Sequence, residues 1–252
     1  MDNINTTIEK NAIKPKINNK NKIVYNDFEL TSLEYSKALL YDKRTCCKFY
    51  SYLLKRKNLI LFSICPVKDY NSMLIKLCIL SLSFSIHYAV NFAFFNEKII
   101  HKIYETGGKY DVLYFLPKIS ISFAISYFVS NILKYIFLSD RYIFEIRMQP
   151  SFSSAYDISD KVKRKLIIKY TIFFIISLLF LGFFWMLLSS FGAVYQNTQI
   201  FIFKNALISF GYALFYPLFN NIFPCIFRIT SLRSETKDNE CLFKFSKFLQ
   251  IL

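Results

Sequence analysis

Acidic side chains are missing from four long stretches of this chain, at about 77–96, 114–138, 166–190 and 200–227. Without carboxylates these stretches offer neither a paired general acid and base nor an acidic proton relay. Glycine is scarce, at five residues, and no GxSxG, P-loop, HExxH or GxGxxG pattern occurs. Six cysteines and two histidines never form a CxxC or a Cys/His cluster, so structural zinc is not expected. No catalytic, cofactor or metal residues are therefore assigned, and the chain is not expected to be an enzyme.

What fills these stretches is apolar. The chain is 54% hydrophobic and 19% aromatic. Each stretch approaches or exceeds the roughly 20 residues that a helix needs to cross a bilayer core. A soluble domain would interrupt them with charge every few residues. The expected fold is all-α, an integral membrane four-helix bundle, with a cytosolic amphipathic helical region before the first span. Lys, Asn, Ile, Phe and Tyr are over-used together, which hints at an A/T-rich genome and lowers the weight of the formal +15 charge.

The distribution of that charge sets an orientation. Lys and Arg number fourteen before the first span, six between the second and third, and five after the fourth, against three and none in the other two loops. The positive-inside rule places both termini and the second loop in the cytosol. Lys118, Lys134, Lys169 and Lys204 lie near span ends and are read as snorkelling anchors. All six cysteines fall on the basic side, where disulfides are not expected. The basic segments point to a bilayer with an anionic cytosolic leaflet. Nucleic acid is not an expected partner, because the aromatics sit in the spans and not on a basic surface.

Residues 1–30 read as a disordered basic tail without a signal-peptide core, and 228–252 as a basic cytosolic tail. Between 31 and 76, apolar residues broken by Lys48, Lys55, Arg56 and Lys57 suggest an interfacial amphipathic helix that ends at Pro66. A small helix packed on the cytosolic ends of the spans is the alternative. Cys46 and Cys47 are candidates for lipidation, with unmodified buried thiols as the other reading.

Small residues recur at four-residue spacing in the spans: Ser81, Ser85, Ala89 and Ala93 in the first, Ser122, Ser126 and Ser130 in the second, Ser209, Ala213 and Pro217 in the fourth. Such stripes let helix backbones approach closely, so the first two spans are expected to form a tight hairpin. His87 and Asn91 share a face of the first span, and Asn220 and Asn221 sit between Pro217 and Pro224 in the fourth. These four form the candidate intramembrane polar site. An interhelical hydrogen bond would explain His87, and a bent helix would explain the asparagines. The first loop reads as a short helix ended by Gly107 and Gly108.

Several strings carry a resemblance. They are Tyr41, Asp42, Lys43, Arg44 and Thr45; Pro66, Val67, Lys68, Asp69, Tyr70 and Asn71; Tyr88 with Asn91, Phe92, Ala93, Phe94 and Phe95; Ile100, His101, Lys102, Ile103 and Tyr104; Phe184 and Trp185; Ala193 to Gln199; Ile208, Ser209 and Phe210; Pro217; Phe227 and Arg228; Glu240 and Cys241. In this order, over residues 33–252, they resemble the C-terminal membrane region of large multi-pass proteins of ciliates, apicomplexans and other protists. That group has no assigned function, so the resemblance implies an architecture and no site residues. The expected role is a non-enzymatic module that assembles with itself or with other membrane subunits. The alternative is a channel or transporter subunit whose polar cavity is lined by the first and fourth spans.

Overall fold

The computed structural model describes residues 25–65, 69–147, 149, 151–234 and 239–251. Among these, every regular element is an α-helix, and four helices are long and apolar enough to cross a membrane. The spans are α5 (Met73–Ala93), α7 (Val112–Phe137), α9 (Phe152–Val194) and α10 (Gln199–Asn220), the last continued by α11 (Ile222–Arg233). Short helices precede them: α1 (Asp27–Ser32), α2 (Tyr35–Tyr41), α3 (Cys46–Lys57) and α4 (Leu59–Ile64). The loops carry α6 (Glu97–Glu105) and α8 (Asp140–Arg147), and the chain closes with α12 (Glu240–Ile251).

The starts and stops follow local chemistry. Asn26 and Glu29 form a reciprocal capping box at α1. Asn58 ends α3 and caps α4 by accepting from Leu61 N, while its amide donates 2.7 Å to the Leu214 carbonyl of α10. Asn96 caps α6, and Gly107 and Gly108 close it at φ 59° and 78°, a left-handed backbone that glycine adopts without strain. The fourth span breaks at Asn221. Pro217 lies inside α10, where it removes a backbone donor. Pro224, expected to kink the span, falls in the first turn of α11, where N–H groups have no intrahelical acceptor.

Three spans, α5, α7 and α10, pack against one another. The third span stands at the side. It leans on α5 through Phe191, which meets Phe92 and Phe95 edge-on, and on α7 through Phe173 against Phe137. Only 11% of its most apolar window is buried, against 39% for the first and fourth spans. At 43 residues it is about 64 Å long, roughly twice a bilayer core. Its first turns, with exposed Lys161, Lys163, Arg164 and Lys165, extend beyond the apolar part at the basic end.

The basic end carries a folded cap. Of the tail expected over 1–30, residues 1–24 lie outside the described residues, but Phe28 and Glu29 are buried in α1. The tail expected over 228–252 folds as well: α11 and α12 pack side by side, with Arg228, Phe243 and Ser246 buried. The segment expected as an interfacial helix turns its apolar face into protein, since Phe49, Tyr52 and Leu53 of α3 cluster with Phe28 and Cys225. The packed alternative fits, because the other helices of the cap offer that face a drier surface than headgroups do. Pro66 lies outside the described residues.

Buried charge joins these pieces. The Arg228 side chain is fully buried, and its guanidinium donates to Asp42 Oδ2 at 2.9 and 3.0 Å and to the Leu30 carbonyl at 2.8 Å. Arg44 binds the same carboxylate from Nε and Nη2, both at 2.8 Å, and reaches the Asp27 carbonyl at 3.0 Å. Both cations lie over the Phe49 ring. Nearby, Asp140 accepts from Asn71 Nδ2 at 2.9 Å and from Arg56, and Glu29 accepts from Arg147 at 2.9 Å and from the Tyr70 hydroxyl at 3.0 Å. Burial pushes the Asp42 carboxyl upward, but the hydrogen bond and charge of Arg44, joined by Arg228, outweigh it and hold the group below its ordinary 3.8.

Removing the shared anion leaves two buried cations unpaired. Asp42→Ala is expected to lower unfolding free energy by about 3–5 kcal/mol, read by denaturant titration in micelles, whereas Lys244→Ala on the exposed face of α12 leaves the curve in place. Because folding depresses the Asp42 pKa, the stabilisation is present above the ordinary carboxylate value and fades as pH falls below 3.8. The acid limb of the stability profile should flatten in Asp42→Ala.

Candidate intramembrane site and packing faces

The first span presents two faces at the same four-residue spacing. The expected packing stripe points outward: Ser81 and Ala93 are exposed, and Ser85 and Ala89 are half-buried. The face turned inward carries Ile79, Ser83, His87 and Asn91, all buried. Ser83 meets Ser130 of α7 at 2.7 Å. The other stripes are placed as expected. Ser122, Ser126 and Ser130 are buried on α7, and Ser209, Ala213 and Pro217 on α10. The tight α5–α7 hairpin exists, but the second span supplies its small residues and the first answers with Ser83 and larger neighbours.

His87 has no solvent exposure. Its Nδ1 is 2.9 Å from Ser209 Oγ, and its ring meets Phe210 edge-on at 5.5 Å. Nε2 is buried without a partner. Asn91 donates 2.8 Å to the His87 carbonyl, one turn back on its own helix. The candidate polar site does not assemble as one cavity. Asn220 and Asn221 follow Ser209 by more than three turns, about 18 Å along α10, and lie at the basic end, where Asn221 is fully buried. The Leu214 and Leu218 carbonyls near the break take hydrogen bonds from Asn58 and Tyr50 of the cap, while Asn220 Nδ2 and both polar side-chain atoms of Asn221 are buried without a partner among the described residues.

A small pocket adjoins His87. Its walls are Ser83, Tyr127, Ser130, Asn131, Lys134, Lys57 and Ala213, and it encloses about 10 Å³, room for roughly one water. Lys134, expected to snorkel, instead turns inward and donates to the Lys57 carbonyl at 3.3 Å. Burial, with the charge of Arg56, pulls the Lys57 ammonium down to about 8. The other span-end lysines also contact protein. Lys118 lies over Tyr114, Lys204 over Tyr110, and Lys169 reaches the Leu138 carbonyl at 2.8 Å.

A larger groove opens sideways between α5, α9 and α10. It has a volume of about 590 Å³ and is lined by Phe84, Ser85, Tyr88, Trp185, Leu188 and Phe203, among others. Its floor belongs to the outward-facing side of the first span.

Both lipidation candidates, Cys46 and Cys47, are exposed, and the Cys46 thiol lies 2.8 Å from that of buried Cys225. Nothing in the sequence pairs these two, which are 179 residues apart. Among the described residues no group of three or more His, Cys, Asp and Glu is placed to hold a metal ion. His101 and Glu105 meet each other at 3.2 Å on exposed α6.

No family model, curated protein or solved structure matches this chain.

The closed face of α7 and the outer face of α5 make opposite predictions. Ser126→Leu forces a large side chain into a closed interface and is expected to cost about 1–3 kcal/mol, while Ser81→Leu meets only the surroundings and leaves stability unchanged. Ser209→Ala removes the partner of His87 and is expected to cost about 0.6 kcal/mol, the average for such bonds between membrane helices. Reversible unfolding in mixed micelles measures all three.

Proposed function

We propose that this four-span protein is a non-enzymatic assembly module of the membrane, with both termini and the cap on the cytosolic side, and that it associates with a second copy of itself through the outer face of its first span. The observation that carries this reading is the outward turn of the stripe of Ser81, Ser85, Ala89 and Ala93. Within lipid, a row of small residues brings helix backbones close, and helices associate through such packing because lipid removes the hydrophobic drive. The monomer leaves Ser81 and Ala93 exposed and covers Ser85 and Ala89 only in part, having closed its own hairpin with the serines of α7. Beside it lies the groove under Phe84, Tyr88 and Trp185. A two-fold pair is the commonest homo-oligomer, and it needs a face that complements itself. A small-residue stripe meets that need, since neither copy must insert a bulky side chain. The likeness of several strings in the chain to protist multi-pass membrane proteins belongs to the same reading.

The channel reading draws less support, since Asn220 and Asn221 lie more than three turns along α10 from Ser209, the partner of His87, and the pocket beside His87 is about the size of one water.

Energy transfer between donor- and acceptor-labelled copies in liposomes tests association. Wild-type chains are expected to show transfer that falls on dilution into excess lipid. Ser81→Leu with Ala93→Leu should abolish it without altering unfolding. Absence of transfer in the wild type at every lipid ratio, or equal transfer in the double variant, contradicts the proposal.

A further inference from the structure

The pocket beneath Lys57 and Lys134 has an unbalanced charge. The Lys134 ammonium donates to the Lys57 carbonyl at 3.3 Å, and the Lys57 ammonium to the Leu249 carbonyl at 3.5 Å. Elsewhere at this end, Arg44, Arg56, Lys76, Arg147 and Arg228 each meet a carboxylate. These two lysines form no ion pair among the described residues. Carbonyl oxygens at helix C-termini offer them partial negative charge only, and two like charges in a poorly hydrated place repel each other.

The depth of the pocket is polar and without acid. Ser83 and Ser130, hydrogen-bonded to each other at 2.7 Å, form part of its wall, with Tyr127 and Asn131 on the α7 side. His87 closes it. The Ser209 hydroxyl has no other acceptor among the described residues, so it donates to Nδ1, and the ring proton then sits on Nε2. That N–H is fully buried and unpartnered, on a residue that lines the pocket. A buried donor without an acceptor costs about 1–3 kcal/mol. An oxyanion would relieve both the orphan donor and the unpaired cations.

We propose that this pocket binds a phosphate-type oxyanion, either the phosphate of a phospholipid in the leaflet on the basic side or free phosphate. The pocket admits one oxygen-sized group, so the phosphorus centre sits at the mouth between the two ammonium groups and one oxygen points inward toward the donors. Lys134 lies one turn above Ser130 on α7, and His87 one turn below Ser83 on α5, so the pocket runs from the ammonium groups past the serine pair to the ring. The site uses the inner face of α5 and is independent of the outer stripe.

Native mass spectrometry of the full chain from phosphatidylcholine nanodiscs with added phosphatidic acid tests it. The wild type is expected to retain one phosphatidic acid more than Lys57→Met/Lys134→Met, with affinity weakened about tenfold or more in that variant. Lys163→Met/Lys165→Met, on the exposed start of α9, should retain it. In phosphatidylcholine alone, a rise in unfolding temperature with inorganic phosphate that the Lys57→Met/Lys134→Met variant lacks would assign the site to the free anion. Equal lipid retention in wild type and that variant, with no phosphate-dependent shift, overturns the proposal. The ¹⁵N shift of His87 Nε2 gives a reading that needs no variant: movement on adding phosphatidic acid or phosphate supports contact, and no movement with either contradicts it.

Discussion

A guanidinium with no access to water holds the basic end together. Arg228 sits past the break in the fourth span, and its charge is met by Asp42 and by carbonyls of α1. Buried ion pairs add little net stability compared with a packed apolar core, yet breaking one is expensive. The consequence here is specificity. A helix end carrying a buried Arg can be accommodated only where Asp42 and the C-terminus of α1 are presented, so the segments before the first span and after the fourth are compelled to fold against each other. Arg44 shares the carboxylate and Phe49 stacks beneath both cations. Phe28, Tyr52 and Leu53 pack with Phe49 in one apolar cluster.

From this anchor the division of labour among the spans follows. The first, second and fourth form the core because their inward faces are narrow or polar enough to come close: serines on α7, Ser209 and Ala213 on α10, and Ser83 with His87 on α5. The third span has no comparable small-residue face. It is held by aromatic contacts at Phe173 and Phe191, and so it leaves a groove along the first span. In lipid such an arrangement is stable, because the bilayer satisfies apolar surface and every backbone group of a helix is satisfied within it. The same arrangement leaves two surfaces of the first span free for different uses, one toward lipid and one toward the inner pocket.

Much of the architecture was legible, for a simple reason: uninterrupted apolar length has few alternatives, and glycine pairs and Asn caps mark helix ends wherever they occur. The cap was not legible. Asp42 and Arg228 are 186 residues apart, and from sequence alone each basic residue near a span end looks like a contact for lipid headgroups. The first span misled for a different reason. Ser81, Ser85, Ala89, Ala93 and Ser83, His87, Asn91 have identical spacing, so periodicity identifies two faces without saying which one turns inward. Asp42, Arg44, Tyr70 and Asn71 acquire a physical role only in the folded cap. Asp42 and Arg44 form the buried network, and Tyr70 and Asn71 hold Ser139 and Asp140 in place.

The account stands on four crossings, with the cap on one side of the membrane. Single cysteines placed at Gln149 and Gln196 in a cysteine-free background, and labelled with an impermeant maleimide in sealed vesicles, test that most directly. The two positions should be labelled from opposite faces, with Gln149 sharing the face of Lys244 in α12. Labelling of Gln149 and Gln196 from the same face would contradict the crossing of the third span and with it the arrangement of the whole chain.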